Sequence, residues 1–182
     1  MEALLIITGT MGAGKSAVLA EASDLLARRR MAHAAIDLDA LGLGWVASED
    51  KNDRLMYRNL ESVNRNYEAE GVRRILVARA IETREELELC RSAVAAPKVV
   101  VCRLTASIET MEQRVAARET GILRREFIAR VAELNRILDG AALEKFTVEN
   151  ENRALTEVAR EVLVKAKWIP ADDADALGES RQ

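Results

Sequence analysis

Histidine, cysteine, proline and aromatic residues are scarce in this 182-residue chain, and most of these scarcities remove a class of function. One histidine, His33, and two cysteines, Cys90 and Cys102, are too few for a zinc site, and neither cysteine belongs to a Cys-x-x-Cys pair. Apolar neighbours around both cysteines predict two buried thiols rather than a disulfide. No stretch approaches the ~20 apolar residues that a membrane helix needs. The formal net charge of -3 leaves no basic excess to recruit nucleic acid. The opening MEALLIITGTMG has too short an apolar run, and an acidic second residue, for a signal peptide. The expectation is a cytoplasmic protein, a monomer or homodimer, with neither nucleic acid nor membrane as partner.

What is present is enough apolar sequence for a core: 49% hydrophobic residues against 31% charged predicts a globule rather than a disordered chain. Short apolar runs at Ala3–Thr8, Ala34–Leu38, Arg74–Ala80, Lys98–Leu104 and Leu143–Val148 read as five strands. Between them lie helical patterns at Lys15–Arg30, Asp50–Glu70, Thr83–Ala93, Ser107–Glu119, Arg124–Leu138 and Asn152–Lys167. Thr83 and Glu86 form a capping box, and Gly71 is placed to stop the second helix. Its apolar side is read as Leu55, Leu60, Val63 and Tyr67. Residues 40–50 read as a loop. The alternation predicts a parallel sheet covered on both faces, in one domain over residues 1–169 with a polar tail at 170–182.

The segment Gly9-Thr10-Met11-Gly12-Ala13-Gly14-Lys15-Ser16 matches the pattern Gly-x-x-x-x-Gly-Lys-Ser, after a strand and before a helix. Each position has a physical reason. Glycines let the backbone take positive φ and turn its N–H groups onto phosphate oxygens. The helix that follows adds the positive end of its dipole. Lys15 is expected at the β- and γ-phosphates and the Ser16 hydroxyl at Mg²⁺. Gly9, Thr10, Gly12, Ala13, Gly14, Lys15 and Ser16 are therefore the candidate nucleotide-binding residues, with ATP and Mg²⁺ as cofactors.

On these residues the chain resembles the small-molecule and nucleotide kinases of the P-loop class, over about residues 3–167. Its layout is similar to the shikimate, gluconate and adenylylsulfate kinases. The resemblance implies a three-layer α/β/α P-loop NTPase fold with a five-stranded parallel sheet. It also implies an acceptor site beside the second strand and a short helical lid, about residues 112–127, that carries arginines. The segment RVAARETGILRREF resembles that lid, which makes Arg114, Arg118 and Arg124 candidates to close over the γ-phosphoryl group, where arginine lowers the barrier. TVENENR, at 147–153, resembles the adenine-bordering loop after the fifth strand, and so nominates Asn150 and Arg153.

Asp37 and Asp39 stand two apart at the end of the second strand. That spacing puts both on one side of a strand, at the sheet end where ligands bind. One carboxylate would accept or orient an alcohol proton; the other would hold Mg²⁺ through water. The sequence does not say which does which, although Asp37 is the expected metal partner of Ser16. Arg54, Arg58, Arg65 and Arg79 are weaker candidates for an anionic acceptor, and Trp45 and Tyr57 either line that site or cover the core. His33 is read as structural or solvent-facing. The third strand ends near Arg79 rather than at an aspartate, which argues against a motor or helicase-type ATPase.

The expected activity is transfer of the ATP γ-phosphoryl to a hydroxyl of a small-molecule acceptor. The alternatives are a nucleoside monophosphate kinase and a nucleotide-dependent switch. A GTPase would carry Asn-Lys-x-Asp, which the sequence lacks.

Overall fold

Leu4, Leu5, Ile6 and Ile7 have no solvent exposure at all, which fixes their strand at the centre of the molecule. Successive residues of a strand point to opposite faces. Leu5 and Ile7 accordingly join one hydrophobic cluster, while Leu4 and Ile6 join another. Each such side chain removed from water contributes roughly 1.5–3 kcal/mol. A strand with two apolar faces needs helices on both, and the chain supplies them.

The computed structural model describes residues 1–44, 46 and 49–171. Its strands are β1 (Ala3–Thr8), β2 (Ala34–Asp37), β3 (Arg74–Ala78), β4 (Lys98–Thr105) and β5 (Phe146–Glu149). The helices are α1 (Lys15–Arg28), α2 (Leu38–Leu41), α3 (Glu49–Ala69), α4 (Arg84–Val94), α5 (Ile108–Arg118), α6 (Arg124–Ala141) and α7 (Leu155–Lys165). The sheet is wholly parallel, in the order β2-β3-β1-β4-β5. In register, Leu5 sits between Leu76 of β3 and Val100 of β4. α1 and α7 pack on the face of Leu5 and Ile7; α3 and α4 cover the face of Leu4 and Ile6. The expected five-stranded three-layer arrangement is therefore the one observed. Among the described residues no helix is long and apolar enough to cross a membrane.

Several sequence expectations are corrected. Asp37 and Asp39 do not share one side of a strand. Asp37 ends β2 and caps α2, its Oδ1 accepting the Asp39 N–H at 3.2 Å, so Asp39 belongs to the helix. An aspartate that binds the N–H two residues on turns the chain locally, and this converts part of the expected loop 40–50 into helix. In α3 the buried side is Met56, Tyr57, Leu60 and Asn64, while Leu55 and Tyr67 are exposed. The face is rotated because Asn64 donates to the Val94 carbonyl of α4, and Met56 and Tyr57 fill the space under β2 and β3.

β5 begins three residues late because Ala142 is left-handed, at φ 44°, and the chain is still turning until Lys145. Asn152, at φ 52°, likewise delays α7 to Leu155. Trp45 and the tail beyond residue 171 lie outside the described residues.

The capping box forms as read: Glu86 N–H donates to Thr83 Oγ1 at 3.2 Å, and the Thr83 N–H to Glu86 Oε2 at 3.3 Å. Both cysteines are buried free thiols. His33 is structural, with Nδ1 2.7 Å from the Met31 carbonyl and Nε2 2.8 Å from Ser23 Oγ. Arg103 is a buried cation within β4. It donates to the Asn135 Oδ1 at 3.0 Å and pairs with Asp139 at 2.8 Å, pinning α6 to the sheet.

Candidate functional site

Where β1 ends, the backbone enters the loop 9–14 and leaves it as the first turn of α1. Gly12 and Gly14 take φ of 77° and 91°, a region that side-chain-bearing residues rarely occupy. Glycine is required there for a second reason. A Cβ on Gly12 would collide with the Met111 carbonyl of α5, and one on Gly14 with the Asn150 amide. The neighbours therefore leave the loop room for backbone alone, and Gly12 and Gly14 border a cavity of about 360 Å³ lined in part by Lys15, Ser16, Asp39, Arg114 and Arg118.

Side chains brace this loop from below. Asn150, 8% exposed, donates its amide to the Ala13 carbonyl at 2.8 Å, and its own N–H goes to the Thr105 carbonyl. Arg114 donates to the Gly12 carbonyl at 3.2 Å and the Asn150 carbonyl at 2.9 Å. Thr10 turns its hydroxyl away, onto the Val131 carbonyl of α6 at 3.3 Å. Glu151, next to Asn150, accepts from the Thr110 hydroxyl and from the Ser107 N–H and hydroxyl, so the loop after β5 is fastened to the start of α5. Those hydrogen bonds, Thr110 foremost, hold the Glu151 carboxyl below the usual carboxylate range.

Lys15 folds back on the loop, donating to the Thr10 carbonyl at 3.2 Å. Burial pushes its ammonium below the ordinary lysine value, against the opposing pull of Asp39 and Asp37. Ser16 donates its hydroxyl to Asp37 Oδ2 at 2.5 Å. Both oxygens of Asp37 are thus engaged, one by Ser16 and one by the Asp39 N–H.

Asp39 has a different setting. Its side chain is 62% exposed at the rim of the cavity, and Oδ1 accepts from Arg79 Nη1 at 2.9 Å. Arg79 follows β3 and is only 16% exposed. Its second nitrogen lies 3.2 Å from Asp53 of α3 and 3.7 Å from Glu86 of α4. Asp53 and Glu86 were not candidates from sequence. Asp53 gives no signal in a polar helix, and Glu86 was already explained by its cap. Tyr57, one of the two open cases, is buried beneath this cluster, 5% exposed.

The remaining candidates divide. Arg118, 65% exposed, lines the cavity and pairs with the adjacent Glu119. Arg124 is exposed and donates to the Ala116 carbonyl, at the end of α5, rather than into the cavity. Arg153 is held by Glu161 of α7 at 2.7 Å and by the Glu149 carbonyl. Residues 119–123 join α5 to α6, with Ile122 fully open to solvent. Arg65 pairs with Glu61 one turn away on α3.

The donor set fits a nucleotide and its cation. The cradle is one that a Cβ would fill, three cations border it, and a hydroxyl and a carboxylate offer the hard oxygens that Mg²⁺ prefers.

No protein-family model matches the chain, and no curated protein matches it in sequence. Solved structures do match in shape. A sugar kinase from Janibacter sp. HTCC2649 superposes with a TM-score of 0.64 at 15% identity, over 94% of this chain and 98% of its own. Shikimate kinase from Acinetobacter baumannii gives 0.61 at 16%, over 92% and 94%. A gluconokinase from Sinorhizobium meliloti 1021 gives 0.60 at 16%, over 91% and 92%. At such identities the likeness establishes the fold alone, the α/β P-loop NTPase fold with its five-stranded parallel sheet.

Proposed function

We propose that this protein is an ATP-dependent phosphotransferase that moves the γ-phosphoryl group to a hydroxyl of a small-molecule acceptor. One observation carries the reading: a single cavity has the glycine cradle, Lys15, Arg114 and Arg118 on one side and the exposed carboxylate of Asp39 on the other.

The different settings of the two aspartates support a division of the roles that the sequence left open. Asp37, with both oxygens tied to Ser16 and to the α2 backbone, is the metal-side carboxylate. Ser16 and Asp37 would hold Mg²⁺, which when bound neutralises charge on the phosphates. Asp39, exposed and anchored by Arg79, faces the acceptor. It orients the attacking hydroxyl and takes its proton. As the new O–P bond forms, the bond from the γ-phosphorus to the bridging oxygen breaks, and its electron pair leaves with ADP.

Lys15 leaves the Thr10 carbonyl for the phosphates, which supply the charge its buried ammonium lacks. Arg114, locked to the Gly12 and Asn150 carbonyls, frames the cradle. Arg118, exposed and paired with Glu119 beside it, is the arginine best suited to close over the transferring group. The segment 112–127 would act as the lid that carries it. Arg124 and Arg153, engaged elsewhere, fit supporting roles at the lid and at the loop after β5.

The test is ADP release from ATP·Mg²⁺ across a panel of hydroxyl compounds and nucleotides, with Lys15→Ala as control. Stimulation by a hydroxyl compound, lost in the variant, supports transfer. Stimulation by nucleoside monophosphates alone would favour the nucleotide-kinase alternative. Tight ATP binding with no stimulation would favour a switch.

A further inference from the structure

A second cavity lies at the other end of the sheet from the phosphate loop, where the strands begin, and it is independent of the phosphotransferase reading. We infer that this cavity, beside the end of α7, binds a small polyanion, a compound with two or more phosphate or carboxylate groups.

The cavity has a volume of about 500 Å³, within the usual range for small-molecule sites. Its floor is formed where three strands start. Ala3 of β1 is in register with Arg74 of β3 on one side and with Lys98 of β4 on the other. Residues in register share a face of the sheet. Two long cationic side chains therefore flank one methyl group, their backbones two strand spacings apart, roughly 10 Å. The result is a recess with a cation on each side. Lys145, just before β5, adds to the wall, as do Lys165, Lys167 and Trp168 at the end of α7.

Charge sets this cavity apart. Among the described residues its wall has five cations and one carboxylate, Glu2, in a chain whose formal net charge is -3. Lys165 is already paired with Glu161 at 2.7 Å. No carboxylate among the described residues forms an ion pair with Arg74, Lys98, Lys145 or Lys167. Four unpaired cations thus face one acid. A cleft lined by one sign focuses its field and draws counter-ions, and several unpaired charges match a ligand with several of its own.

Cations at a helix C-terminus can serve the helix's own dipole, which accounts for Lys165 and Lys167. Arg74 and Lys98 begin strands, which have little net dipole to serve. Arg74 is half-buried in the wall, and the paired N–H groups of arginine suit phosphate and carboxylate alike.

Trp168 is the reporter. Trp45→Phe leaves it as the sole tryptophan, so fluorescence of the full chain reads this cavity during titration with pyrophosphate, citrate or acetate, without Mg²⁺ and at fixed ionic strength. Pyrophosphate, citrate or both should give a saturable change, with acetate ~10-fold weaker or more. A response to one polyanion alone tells a phosphate site from a carboxylate site. Arg74→Gln with Lys98→Gln should weaken binding ~10-fold or more. Lys145→Gln with Lys167→Gln, on other elements, should weaken it too, and keeps the test decisive if the first variant folds poorly. Lys15→Ala, in the phosphate loop, should leave the affinity unchanged. No saturable change with either polyanion, parental affinity in the glutamine variants, or loss of binding in Lys15→Ala overturns the inference. The phosphotransferase reading is tested separately, by ADP release.

Discussion

Ser16 and Asp37 lie 21 positions apart, yet the Ser16 hydroxyl donates to the Asp37 carboxylate at 2.5 Å. One residue lies in the first turn of α1 and the other closes β2, so the contact joins the end of the phosphate loop to the end of that strand. The same carboxylate caps α2. Its two duties can be separated by mutation, because asparagine caps a helix as well as aspartate but carries no charge.

In Asp37→Asn, activity at limiting Mg²⁺ should fall by roughly 10–100-fold, the usual range for an outer-sphere metal partner. The thermal midpoint should stay near the parent's. Asp37→Ala should lose about 1 kcal/mol of stability in addition, from the missing cap. Initial rates across a Mg²⁺ titration, with thermal unfolding of both variants, check this. Equal rates in Asp37→Asn and parent at every Mg²⁺ concentration would remove Asp37 from the metal side.

The Lys15 side chain is partly withdrawn from water where it meets the phosphate loop. Burial lowers its pKa, so the folded state binds the proton less tightly than the unfolded chain does. The penalty is fully present below the folded pKa and fades as pH rises toward the ordinary lysine value of 10.5. Lys15→Met should therefore raise the unfolding midpoint at neutral pH, by about 2–4 °C for each kcal/mol recovered. It should also abolish ATP binding. Calorimetric unfolding and ATP titration of the variant are the measurements; a lower midpoint would show that Lys15 stabilises the loop.

Asn150 holds the Ala13 carbonyl from a buried position. Asn150→Ala leaves that carbonyl unpaired and should cost about 1–3 kcal/mol. Because the carbonyl belongs to the cradle, ATP affinity should fall as well. Arg118, whose ion pair is with Glu119, lines the cavity without the loop-bracing hydrogen bonds of Asn150, so Arg118→Ala should change ATP affinity little while lowering kcat by about 10³-fold or more. Denaturant unfolding and ATP titration side by side distinguish a brace from a charge that acts in the transition state.

Both thiols predict alkaline sensitivity. Burial pushes Cys90 and Cys102 from about 9.0 up to about 12. Between those values the unfolded chain has lost protons that the folded protein keeps. Unfolding therefore releases protons, and stability should fall as pH rises from about 9 toward 12. Tyr57, whose phenol burial also raises, adds in the same direction. Unfolding free energy measured from pH 8 to 11 should decline, and Cys90→Ala with Cys102→Ala should flatten the decline. A parent curve that rises over this range would contradict the assignment.

The sequence by itself determined the sheet, the phosphate loop and most of the helices. Short continuous apolar runs such as Ala3–Thr8 suit strands buried on both faces, and the glycines at 12 and 14 meet a positive-φ demand that side-chain-bearing residues rarely satisfy. These are local constraints, carried within a few residues. What only the tertiary structure decided are the contacts across long sequence separations. Asn150 reaches Ala13 across 137 positions, Arg114 reaches Gly12 across 102, and Arg79 gathers Asp39, Asp53 and Glu86 from three different helices. No periodicity encodes those meetings. A polar side chain's partner depends on which elements the sheet order brings together, and β3 lies between β2 and β1 only once the hydrophobic faces have packed.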